Sequence, residues 1–344
     1  MSEMVVRAVD VGYGHVKYSQ GRSECGEIRC DWFPSQSPGM RNALPLGGVG
    51  HGRNTFMINI AGRCYEVGKA VASALHSNTE GSVMDADFAI SDAYRARLYG
   101  ALNYIAQDLP GSRIDTLILG LPLNTYSRYS REISSRFSGE HLINASGEKL
   151  TIRHCQTYPQ PFGSYANFLD RQDDLSVPMV LVVDVGYNTC DWFVCQGMTG
   201  RLSGASLRGM YAVINAMAKD VINSTKSDAT ETAVMRLIDL SLITGAPFKL
   251  CGKPVKLEKA QKAGEDIIEE AAQSVKNAVR SAEDIELILV TGGGAQFYKD
   301  AIRKKFLHHE VRVLEDPAFG NVRGFHVIGE ALAKSISKIP VNAA

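Results

Sequence analysis

The chain has 344 residues, and its 37 Lys and Arg side chains are matched by 37 Asp and Glu, so no bulk charge draws it to DNA, although a local basic patch stays open. Hydrophobic residues make up 45% and charged residues 22%, the composition of a soluble globular protein long enough for about two domains. No signal-peptide h-region follows Met1, no run of about 18 apolar residues occurs, and the seven scattered cysteines contain no CxxC pair, which together predict a cytoplasmic protein in a reducing compartment, without membrane spans.

In chain order, residues 4–33 predict three short strands broken at Gly12-Tyr13-Gly14 and at Gly21–Cys25. The stretch 34–54 is rich in Pro and Gly and predicts a long loop. Phe56–Ile60 and Arg63–Val67 around Ala61-Gly62 predict a β-hairpin, and Lys69–Leu75 a short helix. Tyr94, Leu98, Leu102 and Ile105 recur at helical spacing, which predicts a helix over 92–108 that stops before Pro110. Asp115–Leu121 predicts a buried strand and Tyr126–Phe137 a charged helix. Residues 147–177 predict a strand, a Pro-rich turn at Pro159–Gly163 and a helix from Ser164 to about Leu169.

The polar segment Arg171–Pro178 is the best domain boundary. Past the apolar run Met179–Val183, helices are predicted over 209–223 and 231–242, and one long helix over 257–282. Ile285–Val290 predicts a buried strand that ends in Thr291-Gly292-Gly293-Gly294. A helix over 300–306, a strand over 311–314 and a closing helix over 324–337 follow. Strands alternating with helices predict α/β domains.

One phrase occurs twice. Val9-Asp10-Val11-Gly12-Tyr13 recurs as Val183-Asp184-Val185-Gly186-Tyr187, each time at the end of an apolar run and before another strand-like stretch. Strand, Asp-x-Gly turn, strand gives each copy an acidic residue and a turn of backbone N–H groups, which suits a metal-bound phosphate chain. Two aspartates, Asp10 and Asp184, could hold a hydrated Mg²⁺, an ion that takes one or two carboxylates plus phosphate oxygens. Gly12, Tyr13 and Gly14 in the first turn, and Gly186 and Tyr187 in the second, are the candidate phosphate-binding backbone.

Lys17, seven positions after Asp10, could place a point charge on phosphate, or be a solvated strand lysine. Asp191 holds the equivalent place in the second copy, so one half neutralises phosphate while the other organises metal-bound water. Gly292, Gly293 and Gly294, with Gln296 just beyond, offer bare backbone to a flat adenine or ribose; a plain flexible turn is the alternative. No GxxxxGK[ST] is present, and no spaced GxGxxG follows the first strand, so neither a P-loop nor a dinucleotide fold is indicated.

Asp10-x-Gly12 with Lys17, Gly120-x-Pro122, Asp184-x-Gly186 with Thr189 and Asp191, Gly292-Gly293-Gly294 and a final turn containing Gly324 occur in that order. This series resembles the actin, sugar-kinase and heat-shock-chaperone ATPase superfamily across nearly the whole chain. Within it, Gly120-Leu121-Pro122-Leu123-x-x-Tyr126, and Phe33-Pro34-Ser35 followed by a hairpin and Val67-Gly68, resemble the bacterial actin-like plasmid-segregation proteins of the ParM and archaeal-actin-like group. The protein D subgroup of the PRTRC system is the nearest likeness. The Gly-rich 39–54 loop departs from ParM itself.

The resemblance implies an α/β fold of two ribonuclease H-like domains with ATP (or ADP) and Mg²⁺ in an interdomain cleft. Domain I would take 1–170 plus 324–344, with a small subdomain at about 21–85. Domain II would take 171–323, with a small subdomain at about 210–282. Gln160 matches the residue that positions the attacking water, or else merely tops the Pro-rich turn. Asp184 would orient water or metal, Asn188 and Thr189 would add donors to phosphate, and Gly209 matches the ribose-side turn. Lys259, Lys262 and Glu265 match the helix that grips adenosine, and a solvated charged face explains them equally well. Self-association into filaments and a DNA-binding adaptor protein are the implied partners, with no direct nucleic-acid contact. A small-molecule kinase and a non-polymerising nucleotide switch are the competing functions.

Overall fold

The computed structural model describes residues 4–40, 54–71, 87–172, 177–197, 199–280 and 282–337. The chain divides into two units, Met1–Val177 with Leu314–Ala344, and Pro178–Val313.

Unit 1 opens with β1 (Val6–Val11), buried along its whole length, and the antiparallel β2 (His15–Arg22) and β3 (Ile28–Pro34) follow. Strands β4 (Gly39–Met40), β5 (Phe56–Ile60) and β6 (Arg63–Val67) form a separate small sheet in the order β4-β6-β5. The β5–β6 turn has φ of 48° at Ala61 and 79° at Gly62, the paired left-handed residues of a two-residue hairpin. Most of the helix expected over 69–75 lies outside the described residues. Helix α1 (Asp92–Gln107) starts where the Ser91 hydroxyl accepts the Tyr94 N–H. After it come β7 (Arg113–Leu121), α2 (Leu123–Arg136), β8 (Gly139–Leu142), β9 (Lys149–Pro159) and α3 (Gln160–Asp170).

The main sheet of this unit runs β3-β2-β1-β7-β9-β8, with β1, β7 and β9 parallel. The central strands β1 and β7 are buried almost throughout, and they bury Arg7, Asp10, Asp115 and Thr116 along with their apolar residues. Val9, Val11, Leu117 and Leu119 share a core with Tyr94 and Leu98 of α1 and Tyr129 and Ile133 of α2, while Ala8 and Ile118 point to the other face.

Unit 2 contains β10 (Val180–Val185), β11 (Cys190–Gln196), β12 (Thr199–Ser206), α4 (Met210–Thr225), α5 (Glu231–Thr244) and the short hairpin β13 (Lys249–Leu250) and β14 (Lys253–Pro254). Then follow α6 (Glu258–Gln261), a 3-10 turn at Lys262–Gly264, α7 (Glu265–Ala278), β15 (Leu287–Thr291), α8 (Ala295–Lys305) and β16 (Glu310–Val313). The sheet order is β12-β11-β10-β15-β16, which is β3-β2-β1-β7-β9 over again. The five-residue repeat in the sequence is therefore the visible part of a repeated sheet.

Helix α9 (Gly320–Ser337), entered through a 3-10 turn at Pro317–Phe319, returns to unit 1 and packs on α3, β1 and β7. Val322 and Phe325 cover Ala8 and Ile118.

Three expectations are corrected here. The helix over 257–282 is broken at Lys262–Gly264, where Gly264 lies so close to α4 that a Cβ would stand 2.7 Å from Val213 Cγ1. The Pro-rich turn at Pro159–Gly163 does not exist: β9 runs to Pro159 and α3 begins at Gln160. Pro161 fits the first helical turn, where a missing N–H breaks no intrahelical bond. Gly324 lies inside α9 and not in a turn; its backbone lies against Gly163 of α3, where a Cβ would overlap the Gly163 carbonyl oxygen.

Candidate functional site

In unit 1, the first Asp-x-Gly motif sits where β1 turns into β2, with the Gly12 N–H donating to the His15 carbonyl at 3.1 Å. Asp10 is the last but one residue of β1, not the tip of a loop, and is only 4% exposed. Its register partners are Lys17 on β2 and Gly120 on β7. Gln160, the first residue of α3, donates from Nε2 to Asp10 Oδ1 at 2.6 Å. Burial pushes the Asp10 carboxyl above its ordinary range, while the Lys17 charge and the Gln160 hydrogen bond pull it back. His15 is pushed down to about 3 by burial and by Lys17, so its imidazole is neutral near pH 7. Tyr13 stacks on Phe88 with ring centroids 5.0 Å apart.

Sequence reading missed Ser35. Its N–H donates to the Gly14 carbonyl at 2.8 Å and its hydroxyl to the Gly12 carbonyl at 2.6 Å. The only signal was Phe33-Pro34-Ser35 at the end of a strand register that pairs Pro34 with His15.

In unit 2, the second motif closes the same way, the Gly186 N–H donating to the Thr189 carbonyl at 2.9 Å. Asp184 is paired in register with Asp191 on β11 and Thr291 on β15, so Asp191 occupies the place of Lys17 and Thr291 that of Gly120. Both carboxylates are buried, at 5% and 4% exposure. Thr189 Oγ1 donates to Asp191 Oδ2 at 3.0 Å. Burial first, and the Asp184 charge second, push Asp191 up to about 7. The N-terminus of α4 rests on this turn: Gly209 N–H donates to Asn188 O, Met210 N–H to Gly186 O and Tyr211 N–H to Tyr187 O. Gly292 has φ of 84° and passes so close to Asp184 Oδ1 that no side chain fits; Gly293 next to it meets nothing.

Among the described residues no group of three or more His, Cys, Asp or Glu is placed to hold a metal ion. In unit 2 the register-paired carboxylates Asp184 and Asp191 are an all-oxygen pair of the kind that suits a hard cation completing its shell with water and phosphate, and in unit 1 Asp10 offers a single carboxylate. Gln296 is exposed on α8, where Lys299 donates to its side chain. Lys259, Lys262 and Glu265 are all exposed and fall on α6, the 3-10 turn and α7 respectively.

Both halves match models of actin-like proteins. Residues 8–163 match the N-terminal domain of actin-like proteins, and residues 182–304 match the C-terminal domain of the MreB-like archaeal actin homologue. With the repeated sheet and paired Asp-x-Gly turns, these define a two-domain α/β protein of actin-like fold. The two matches together take up most of the chain, and the chain belongs to the actin-like proteins that they describe. It is similar to the archaeal actin homologue Ta0583 in complex with ADP, with a TM-score of 0.72, 17% identity, and 95% of this chain and 100% of that chain covered. For apo ParM of pSK41 the TM-score is 0.67 at 18% identity, with 98% and 100% covered. For a 15-stranded ParM filament from Clostridium botulinum it is 0.68 at 15% identity, with 96% and 99% covered. At these identities the likeness is one of fold. No curated protein sequence matches the chain. No described helix is long and apolar enough to cross a membrane.

Proposed function

We propose that this chain is an ATPase that binds ATP with Mg²⁺ and assembles into filaments that move or partition DNA. The observation that carries the reading is the repeated Asp-x-Gly hairpin on two sheets of one strand order, with Gln160 bonded to the first of its carboxylates. Backbone N–H groups at Gly12, Tyr13 and Gly14, with the Lys17 charge, serve the phosphates from unit 1. Gly186, Tyr187, Asn188 and Thr189 serve them from unit 2. Gly209, the Gly292–Gly294 run and Gln296 form the nucleoside side, with Lys259, Lys262 and Glu265 at its margin. Asp10, Asp184 and Asp191 would hold Mg²⁺, mostly through water, and the ion would supply charge neutralisation there. Gln160 orients the attacking water; as a neutral amide it is a poor base, so intrinsic turnover is slow.

Self-association is supported by the ParM filament among the similar structures, and nucleotide binding by the ADP complex of the archaeal actin homologue. The balanced charge favours an adaptor protein over direct DNA contact. Light scattering and negative-stain microscopy with and without ATP and Mg²⁺ test the proposal, and an ATP-dependent rise with visible filaments is expected. Turnover that requires an added hydroxyl substrate would instead mark a small-molecule kinase, and turnover without assembly a nucleotide switch.

A further inference from the structure

We propose that Ser35 and Arg97 are positioning residues for the first phosphate turn: they hold its carbonyl groups on one side so that its N–H groups face the nucleotide. The role rests on the nucleotide-binding reading above.

Ser35 is 2% exposed and takes two carbonyls of the same turn, Gly12 O through its hydroxyl at 2.6 Å and Gly14 O through its N–H at 2.8 Å. A trans peptide is planar, so its C=O and N–H point in opposite directions. Fixing Gly12 O therefore directs the Tyr13 N–H away from Ser35, and fixing Gly14 O does the same for the His15 N–H. An anion-binding turn needs its amides aimed before the anion arrives, because any reorientation on binding costs affinity.

Arg97 of α1 stands behind Ser35. It is 6% exposed, and it donates from Nη1 to Ser35 Oγ at 3.1 Å and from Nε to Ser37 Oγ at 3.2 Å. The Ser35 hydroxyl thus donates to the turn while accepting from a cation, and such chained bonds polarise one another. A second route reaches the same turn. The Arg97 guanidinium lies 4.9 Å over the Phe88 ring, and Phe88 stacks on Tyr13. Burial lowers Arg97 to about 10, so it remains charged near neutral pH. Among the described residues it meets two hydroxyls and a ring, and no carboxylate. A buried cation so placed is costly, and an anion on the adjacent turn offsets that cost.

The test measures affinity for fluorescently labelled ADP with Mg²⁺, competition by unlabelled adenosine, and melting temperature. The proteins compared are wild type, Ser35→Ala, Ser35→Thr, Arg97→Gln and Arg97→Lys. Ser35→Ala and Arg97→Gln are expected to bind ADP about tenfold more weakly, the loss of one to two hydrogen bonds. Adenosine competition should be unchanged, because the turn serves phosphate, and Ser35→Thr should restore ADP affinity. Wild-type protein that binds no ADP overturns the nucleotide reading itself. Wild-type binding with ADP affinity unchanged in both variants, or with ADP and adenosine weakened equally, overturns the positioning role alone. If Ser35→Ala does not fold, Arg97→Gln and Arg97→Lys decide by the same ratio of ADP to adenosine affinity.

Discussion

Gln160 and Asp10, 150 residues apart in sequence, are joined by a 2.6 Å hydrogen bond from Nε2 to Oδ1. Committing the amide nitrogen to the carboxylate leaves Gln160 Oε1 as an acceptor, the function a water-orienting residue needs. The same bond makes the two residues one unit. Removing Asp10 strands a Gln160 donor, and removing Gln160 takes away one of the two interactions that favour ionised Asp10.

Gln160→Ala should therefore lower turnover by about a hundredfold, the usual cost of a mispositioned reactant, while changing ADP affinity little. Orientation of water matters in the transition state, whereas the turns hold the ground state. Filaments of the variant should outlive those of wild type if disassembly waits on hydrolysis. Single-turnover kinetics and equilibrium binding separate the two effects. Lost affinity with unchanged turnover would assign Gln160 a structural role, and filaments as short-lived as wild type would uncouple the site from the polymer.

The buried carboxylates carry a pH signature in nucleotide-free protein. Asp10 and Asp191 both have folded values raised above the ordinary 3.8, Asp191 to about 7, with burial the main cause. A raised folded value means the folded state binds the proton more tightly, so stability is full below 3.8 and is lost as pH rises through the folded value. Asp191→Asn and Asp10→Asn keep an acceptor for Thr189 Oγ1 and Gln160 Nε2 and remove the ion. Asp191→Asn should raise the melting temperature at pH 8 by about 3 °C or more, with a smaller gain at pH 5; Asp10→Asn should raise it at pH 8; and each should abolish Mg²⁺-dependent hydrolysis. Melting curves at the two pH values check this. An equal or lower melting temperature at pH 8 would refute the burial cost.

Much of this was legible in the sequence because it is local. Apolar runs that lead into Asp-x-Gly mark the strands and turns, and Val9 and Val183 do take the same place, fourth in β1 and fourth in β10. What escaped depends on tertiary contact. Strand β12 is exposed along most of its length and has little apolar pattern to betray it. Gly264 is needed where the 3-10 turn passes close to α4, and Pro161 reads as turn chemistry until the helix that tolerates it is seen. Ser35 and Arg97, 62 residues apart, look like any serine and any helix arginine until the fold joins them to Gly12. Asp10 and Asp184 lie within β1 and β10, and sequence alone does not show the neighbouring strands that flank and bury them.

The fit of α9 on α3 fixes Gln160 from behind, and it supplies the last prediction. Gly324 of α9 lies against the Gly163 carbonyl of α3, three residues beyond Gln160, and Ser164 donates from both N–H and hydroxyl to Asn321 Oδ1 at 3.1 and 2.7 Å. A methyl group at 324 meets backbone on the facing helix, which has no rotamer by which to yield. Gly324→Ala gains helix propensity of about 1 kcal/mol, but overpacking against backbone should outweigh it and leave a net loss of about 1–3 kcal/mol. Helix α3 must move out to relieve the overlap, and Gln160 moves with it, so turnover should fall even at temperatures where the variant is fully folded. Urea denaturation gives the first quantity and single-turnover hydrolysis the second. A variant as stable as wild type would show that the two helices are not held at this distance, and a destabilised variant with wild-type turnover would show that α3 can shift without carrying Gln160 away from Asp10.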